Sequence, residues 1–375
     1  MDTIKLSKLI EDRYRRYLKT TFYFRDPMLR SSFEKQLESG LLRKGPYLEA
    51  TPVFKRKTTP SSLLREILGS KIDEGFLQSL TAETPSLYVH QELAIRKVSD
   101  GRNVIVATGT GSGKTEAFLY PILMDLYREF QAETSTQPGV RALKLYPMNA
   151  LANDQRERLG EFCKLLKENN SPFRFTFGQY IGETPDDRRD SRRHANDHLA
   201  YRKEKGFSII QNDTVIHGEM VLRSEMRDNP PHILLTNYSM LEYLLLRPYD
   251  NPLFEKSHSW KFLVLDEAHQ YRGTQGMEMG MLLRRLKQRL MEGETRKDKP
   301  FRCIATSASL TRGKTGQKTV AEFAENLFGE KFFEEDVLLG ETEPILQKGK
   351  YELSLQDYDL IRSAHNNVGT TSRQQ

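Results

Sequence analysis

Residues 103–118 read NVIVATGTGSGKTEAF. The apolar run Val104 to Ala107 predicts a short buried strand, and the pattern resumes as a helix once Lys114 and Thr115 have passed. Between them lie Gly109, Gly111 and Gly113, which free the backbone to turn sharply. A strand, a glycine-rich elbow and a helix N-terminus in that order form a cradle for phosphate, because consecutive N–H groups and the helix dipole point at one anion. The candidate nucleotide-binding residues are therefore Thr110, Gly111, Ser112, Gly113, Lys114 and Thr115. Lys114 is a point charge for the β- and γ-phosphates, and the Thr115 hydroxyl is a ligand for Mg²⁺. The strict phosphate-loop pattern has glycine where this chain has Thr108, which counts against a generic kinase or GTPase.

Such a loop needs acidic partners, and FLVLDEAHQYRG at 262–273 supplies them at the end of another apolar run. Asp266 is placed to hold Mg²⁺, usually through water, and Glu267 to polarise the water that attacks the γ-phosphate. In open α/β sheets ligands bind at the carboxyl ends of the strands, where both segments fall. A dinucleotide-binding oxidoreductase is disfavoured, since its loop would run GxGxxG rather than continue into Lys114 and Thr115.

Working outward, the runs NVIVAT (103–108), RALKLYP (141–147), FRFTFGQYI (173–181), HILLTN (232–237), KFLVLDE (261–267) and FRCIATSA (301–308) alternate with amphipathic helices. Near-continuous apolar strands between helices predict an α/β fold with a parallel sheet covered on both faces, RecA-like or Rossmann-like in layout. Residues 81–330 form this expected domain, with a charged insertion at 186–231 whose alternating charges suit a solvated helical segment. Residues 1–80 are expected to be a small, mostly helical accessory module. Leu6, Leu9, Ile10, Tyr14, Tyr17 and Leu18 recur there at helical spacing, a Pro-rich irregular stretch follows, and then a helical hairpin around 62–80. Residues 331–375 read as a tail or the start of a linker, in which FFEEDVLLG offers one more strand.

Composition adds a mild bias. With 57 basic and 51 acidic residues the formal charge is +6, which leans toward an anionic partner such as nucleic acid. No apolar run approaches the roughly 20 residues that span a bilayer and no signal peptide is evident, so a soluble, cytoplasmic protein without a membrane partner is expected. Cys163 and Cys303 stand alone, as reduced core residues rather than a disulfide or zinc site.

Six segments carry a resemblance. ATGTGSGKTE with LDEAH is similar to superfamily 2 helicases of the DEAD/DEAH-box type, and the other motifs follow in that family's order. LYVHQELAI resembles its adenine-reading motif, which implies Gln91 as the base contact, with Tyr88 either packed on the adenine or plain core, and His90 structural. LYPMNALANDQ and ILLTNYSMLEYLLLRP resemble motifs Ia and Ib, which implies that Asn149, Thr236 and Asn237 touch the nucleic-acid backbone. Phosphate contacts of that kind position a strand without reading its bases. Alternatively Asn149 caps the following helix and Thr236 is a turn residue. ATSASL resembles motif III, with Ser307 and Ser309 coupled to His269 of the acidic box. The wording of motifs Ia, Ib and the box is most similar to the Lhr and MrfA-like (YprA-like) group, DNA helicases of bacterial repair and, in some relatives, defence loci.

That resemblance implies ATP and Mg²⁺ as cofactors, Lys114, Asp266 and Glu267 as the catalytic set, and DNA in preference to RNA as partner. It also implies a second RecA-like domain contributing arginine to the transition state. Only about 65 residues follow ATSASL and none reads as QxxGRxGR, so that domain is expected from elsewhere, including a second polypeptide. Two functions remain: the ATP-binding half of a helicase or translocase, or a nucleotide-dependent nucleic-acid-binding or regulatory module that does not unwind.

Overall fold

The structure is a computed structural model that describes residues 3–39, 42, 53–69, 71–82, 84–109, 111–132, 137–187, 208–211, 214–255, 259–292, 301–308, 316–343 and five positions between 354 and 360. Thr110 and Ser309 lie outside these residues. The chain divides into two compact units, residues 1–53 and 54–375.

In the first unit, α1 (Thr3–Thr21) is the opening helix that the apolar spacing predicts. A second helix, α2 (Pro27–Glu38), follows. Asp26 caps it, its Oδ1 accepting from the N–H groups of Met28 at 2.8 Å and Leu29 at 2.9 Å, while Pro27 occupies the first turn, where no N–H is needed.

The second unit begins with β1 (Arg56–Thr58), α3 (Pro60–Leu68), α4 (Glu74–Thr81), β2 (Leu87–Tyr88) and α5 (Val89–Ser99). The central elements are β3 (Val104–Ala107), α6 (Lys114–Gln131), β4 (Ala142–Tyr146), α7 (Asn149–Glu168), β5 (Thr176–Gln179), β6 (Ser208–Gln211), β7 (Thr214–Met220), α8 (Arg223–Asp228), β8 (Ile233–Asn237) and α9 (Tyr238–Leu246). Then come α10 (Pro252–Glu255), β9 (Phe262–Leu265), α11 (Gly273–Met291), β10 (Arg302–Ser307), α12 (Gln317–Phe328) and β11 (Val337–Leu339). One sheet runs in the order β11-β3-β10-β9-β4-β8-β5-β7-β6, and β1 pairs with β2 apart from it. Within the large sheet every pairing is parallel except that of the edge strand β6 on β7.

All six apolar runs are strands of this sheet, and its two faces bury alternate residues. Val104, Val106, Phe262, Val264 and Ile304 face a core built with α3 to α7. Ile105, Ala107, Leu263, Leu265 and Cys303 face a second core built with α9, α11 and α12. A side-chain period of two with both faces covered explains why these strands read as unbroken apolar runs. The α/β, RecA-like expectation holds.

Two local expectations change. The insertion expected to be helical instead contributes β6 and β7 to the sheet edge, with only α8 helical among its described residues. Its run SIIQNDTVIHGEM (208–220) has the β-branched enrichment around an Asn-Asp pair that marks a hairpin, and the surrounding charges mask it. The helical hairpin grouped with the N-terminal module by composition packs into the second unit, where Leu63, Leu64 and Phe76 are fully buried. Phe76 stacks on Tyr127 of α6 with ring centroids 4.3 Å apart. Glycine is required at 75, because a Cβ there would sit 2.4 Å from the carbonyl oxygen of Asn169 at the end of α7.

The amino edge of the sheet is tied to α6 by charge. Asp125 accepts from Lys261 at 2.6 Å and from Arg302 at 2.8 Å, and Glu129 pairs with Lys261 at 2.5 Å and Arg141 at 3.0 Å. Burial acts to raise the Asp125 carboxyl, yet Arg302 and Lys261 outweigh it and hold the group below its ordinary value of 3.8. The stability this contributes is therefore complete above that value and lost as pH falls through the lower folded-state value. Asp125→Ala should cost about 3 kcal/mol, at the low end for breaking a buried pair because Lys261 keeps Glu129. A urea midpoint unchanged from wild type would refute this assignment.

Candidate functional site

Because β3, β10, β9, β4 and β8 are parallel, their carboxyl ends share one edge. The phosphate loop leaves β3 there, the acidic box leaves β9, the motif III segment ends β10, and α7 and α9 start from β4 and β8. The elbow and the acids do not sit on adjacent strands, however. β10 lies between β3 and β9 and joins them. The Thr108 N–H donates to the Ser307 carbonyl at 3.0 Å, and the Thr306 hydroxyl donates to Asp266 Oδ1.

At the elbow, Gly113 has φ of 65°, and a Cβ there would lie 2.3 Å from Gln91 Nε2. The loop is braced by a 2.5 Å contact between the hydroxyls of Thr108 and Ser112, so the threonine at the position where glycine is usual has a structural partner. Lys114 Nζ donates to the carbonyls of Thr108 at 3.2 Å and Gly109 at 3.3 Å. Its charge therefore rests on the same loop that would surround a phosphate.

Gln91 is 2% exposed and uses both ends of its amide. Oε1 accepts from the Tyr88 N–H at 2.7 Å, while Nε2 donates to the Gly113 carbonyl at 2.8 Å and to Glu116 at 3.2 Å. It joins the entry of α5 to the phosphate loop, and contact with an adenine would require exchanging some of these bonds. His90 is buried beside it, with Nε2 2.8 Å from the Ser112 carbonyl and the ring stacked on Tyr88. Burial pushes its imidazole below 6.5, which favours the neutral form.

In the acidic box, Asp266 is fixed by the Thr306 hydroxyl, and its Oδ1 accepts from the Glu267 N–H at 3.1 Å. Glu267 adopts the left-handed region with φ of 49°, unusual for a residue that bears a Cβ. His269 Nδ1 lies 3.2 Å from Glu267 Oε2 and 3.4 Å from the Ser307 hydroxyl. Among the described residues the buried Oε2 takes no hydrogen bond, the His269 contact included. A solvent-shielded carboxylate oxygen with unused acceptor capacity is suited to take a bond from an incoming water.

The proposed nucleic-acid residues fare differently. Thr236 is fully buried and its hydroxyl donates to the Tyr180 carbonyl at 2.6 Å, so it braces β8 and offers nothing to a strand on the surface. Asn237 caps α9, Oδ1 accepting from the Met240 N–H at 2.8 Å. With Pro147, Tyr238, Gln270 and Glu278 it lines a cleft of about 260 Å³ beside the acidic box. Asn149 opens α7.

Several participants escaped the sequence reading. Thr306 is one, though it directly precedes the motif III serine. Lys144 of β4 is another: it lies on the buried face with Ala142 and Tyr146, is 1% exposed, and burial lowers its ammonium to about 7, with Asp266 acting in the opposite direction. Arg158 and Gln155 of α7 reach Glu116 and Thr115 at the start of α6.

A family model described as DEAD/DEAH box helicase matches residues 88–195 and 195–315. The chain belongs to the DEAD/DEAH box helicase family. Among individual relatives, the Druantia protein DruE of Escherichia coli is 33% identical over 88% of this chain and 21% of its own length. The uncharacterized ATP-dependent helicase YprA of Bacillus subtilis is 28% identical over 58% of this chain and 22% of its own. The chain thus spans about a fifth of the length of these two relatives. A crystal structure of the DUF1998 helicase MrfA bound to DNA superposes with a TM-score of 0.51 at 25% identity, covering 77% of this chain and 29% of that one. Family, relatives and fold together support a chain of the Lhr/YprA/MrfA-like helicase kind.

Among the described residues, no helix is long and apolar enough to cross a membrane, and no three His, Cys, Asp or Glu side chains cluster as a metal site.

Proposed function

We propose that this chain is the ATP-binding half of a nucleic-acid helicase or translocase, with ATP hydrolysed at the elbow and acidic box and coupled to movement along DNA once a second RecA-like domain completes the site. The observation that carries the reading is the shared carboxyl edge: Thr306 and Ser307 of β10 bond the acidic box on one side and the phosphate loop on the other. The RecA-like domain then extends beyond the 81–330 expected from the sequence: α3 and α4 pack into its core, and β11 (Val337–Leu339) adds an edge strand beside β3.

Lys114 moves from its two carbonyls to the β- and γ-phosphates, which the N–H groups of the elbow and the α6 N-terminus surround. Gln91 marks the adenine side of the loop. Glu267 orients and polarises the attacking water, while Asp266 and the Thr115 hydroxyl are the hard oxygen donors that suit Mg²⁺. When bound, that ion neutralises charge on the phosphate oxygens. His269 and Ser307 carry the state of Glu267 to β10. Asn149, which opens α7 after β4, and Asn237, which ends β8, are the residues assigned to the nucleic-acid backbone, and the MrfA complex with DNA favours DNA over RNA.

Two measurements test this. Nucleic-acid-stimulated ATP turnover separates a helicase from a module that only binds, since the latter shows none. For binding, a fluorescence titration with single-stranded DNA should weaken with salt: about three phosphate contacts give a slope near −2, hence roughly 20-fold lower affinity between 50 and 200 mM. A flat response would remove the phosphate-contact reading.

A further inference from the structure

Lys144 raises a physical question. It occupies a position where its neighbours on the same face, Ala142 and Tyr146, are core residues, and taking an ammonium out of water costs several kcal/mol unless it is paired. Its nearest partners are the face of the Phe118 ring, 4.4 Å away, and Oε1 of Gln155 at 3.2 Å. An ammonium has donors and no acceptor, so in its charged form it fixes the Gln155 amide with oxygen toward Lys144 and the NH₂ group on the other side. That NH₂ donates to Thr115 Oγ1 at 3.2 Å.

Thr115 is thereby held as an acceptor. One lone pair is engaged by Gln155, and a hydroxyl oxygen has a second one left for another ligand. The grip is reinforced one turn along α7, where Arg158 bonds Glu116, the residue after Thr115. Two successive side chains of one helix face thus hold two successive residues of α6.

We propose that Gln155, oriented by Lys144, is the positioning residue that sets the Thr115 hydroxyl for metal ligation, and that α7, which opens at Asn149, is rigidly attached to the metal side of the nucleotide site through it. The proposal rests on the nucleotide reading above. In the other account, Gln155 only satisfies a buried lysine, and removing it alters folding stability and nothing else.

The test is binding of a fluorescent ATP analogue, mant-ATP, to the full chain in EDTA and across a titration of free Mg²⁺. Gln155→Met should leave affinity in EDTA within about twofold and raise the half-effective Mg²⁺ concentration about 10-fold, the usual loss when a group supporting a metal ligand is removed. Thr115→Ala should abolish the Mg²⁺-dependent gain, and adding Gln155→Met to it should change nothing more. If Gln155→Met does not fold, Lys144→Met with Gln155→Met removes the buried cation together with its acceptor, and the same midpoint shift is expected. A wild-type Mg²⁺ midpoint in either variant overturns the proposal while leaving the nucleotide site intact. A wild-type chain that fails to bind mant-ATP, or a Lys114→Ala variant that binds it normally, overturns the nucleotide reading and this proposal with it.

Discussion

Glu267→Gln is expected to slow ATP hydrolysis about 10²- to 10⁴-fold, the range for loss of a positioned proton acceptor. The substitution keeps the shape of the side chain and removes its charge and basicity. Glu267 is suited to the role because its backbone N–H is bonded to Asp266 and its left-handed φ turns the residue out of the strand direction. Among the described residues its buried Oε2 takes no hydrogen bond, although His269 Nδ1 lies 3.2 Å away, so the oxygen keeps acceptor capacity for a water. Single-turnover hydrolysis with protein in excess over radiolabelled ATP reads the effect even where turnover is slow, and mant-ATP affinity should stay within about twofold. Unchanged hydrolysis would place the base elsewhere, and lost binding would mean that the residue shapes the pocket instead.

Lys114→Ala should weaken ATP binding by about 10- to 100-fold, corresponding to about 1.5–3 kcal/mol for a hydrogen bond to a charged group. Among the described residues, the ammonium donates to the Thr108 and Gly109 carbonyls, at 3.2 and 3.3 Å. Exchanging two neutral acceptors for phosphate oxygens is the favourable step that alanine eliminates. Calorimetric titration of ATP and ADP separates the contributions: if Lys114 serves the γ-phosphate as proposed, the loss should be larger for ATP. Equal affinity in wild type and variant would show that the elbow does not hold a triphosphate.

Legibility in the sequence followed burial. The six strands of the sheet that were read from apolar runs are covered on both faces, so each residue reported its environment. The edge hairpin β6–β7 was hidden by the charged residues around it. The phosphate loop and acidic box were evident because their chemistry demands particular residues at particular spacings. Lys144 was not, since lysine within a strand ordinarily marks the solvent face, and only the three-dimensional pairing with Gln155 reveals it as core. Thr236 erred in the opposite sense: a hydroxyl at a strand end looks available, yet the Tyr180 carbonyl claims it. Nor could pattern alone show that β10 separates the elbow from the acids, because chain order places β9 before β10 and says nothing of which lies beside β3.

The ionic tie among Asp125, Glu129, Arg141, Lys261 and Arg302 lies at the far end of the strands from the elbow and acids. Damage to the molecule should therefore sort into two phenotypes. Lesions around Arg302 reduce how much native protein survives heating, with each surviving molecule working at its usual rate. Lesions around Glu267 leave a full yield of robust molecules that work slowly, so an unclassified variant can be assigned to one end or the other from melting temperature and specific activity alone.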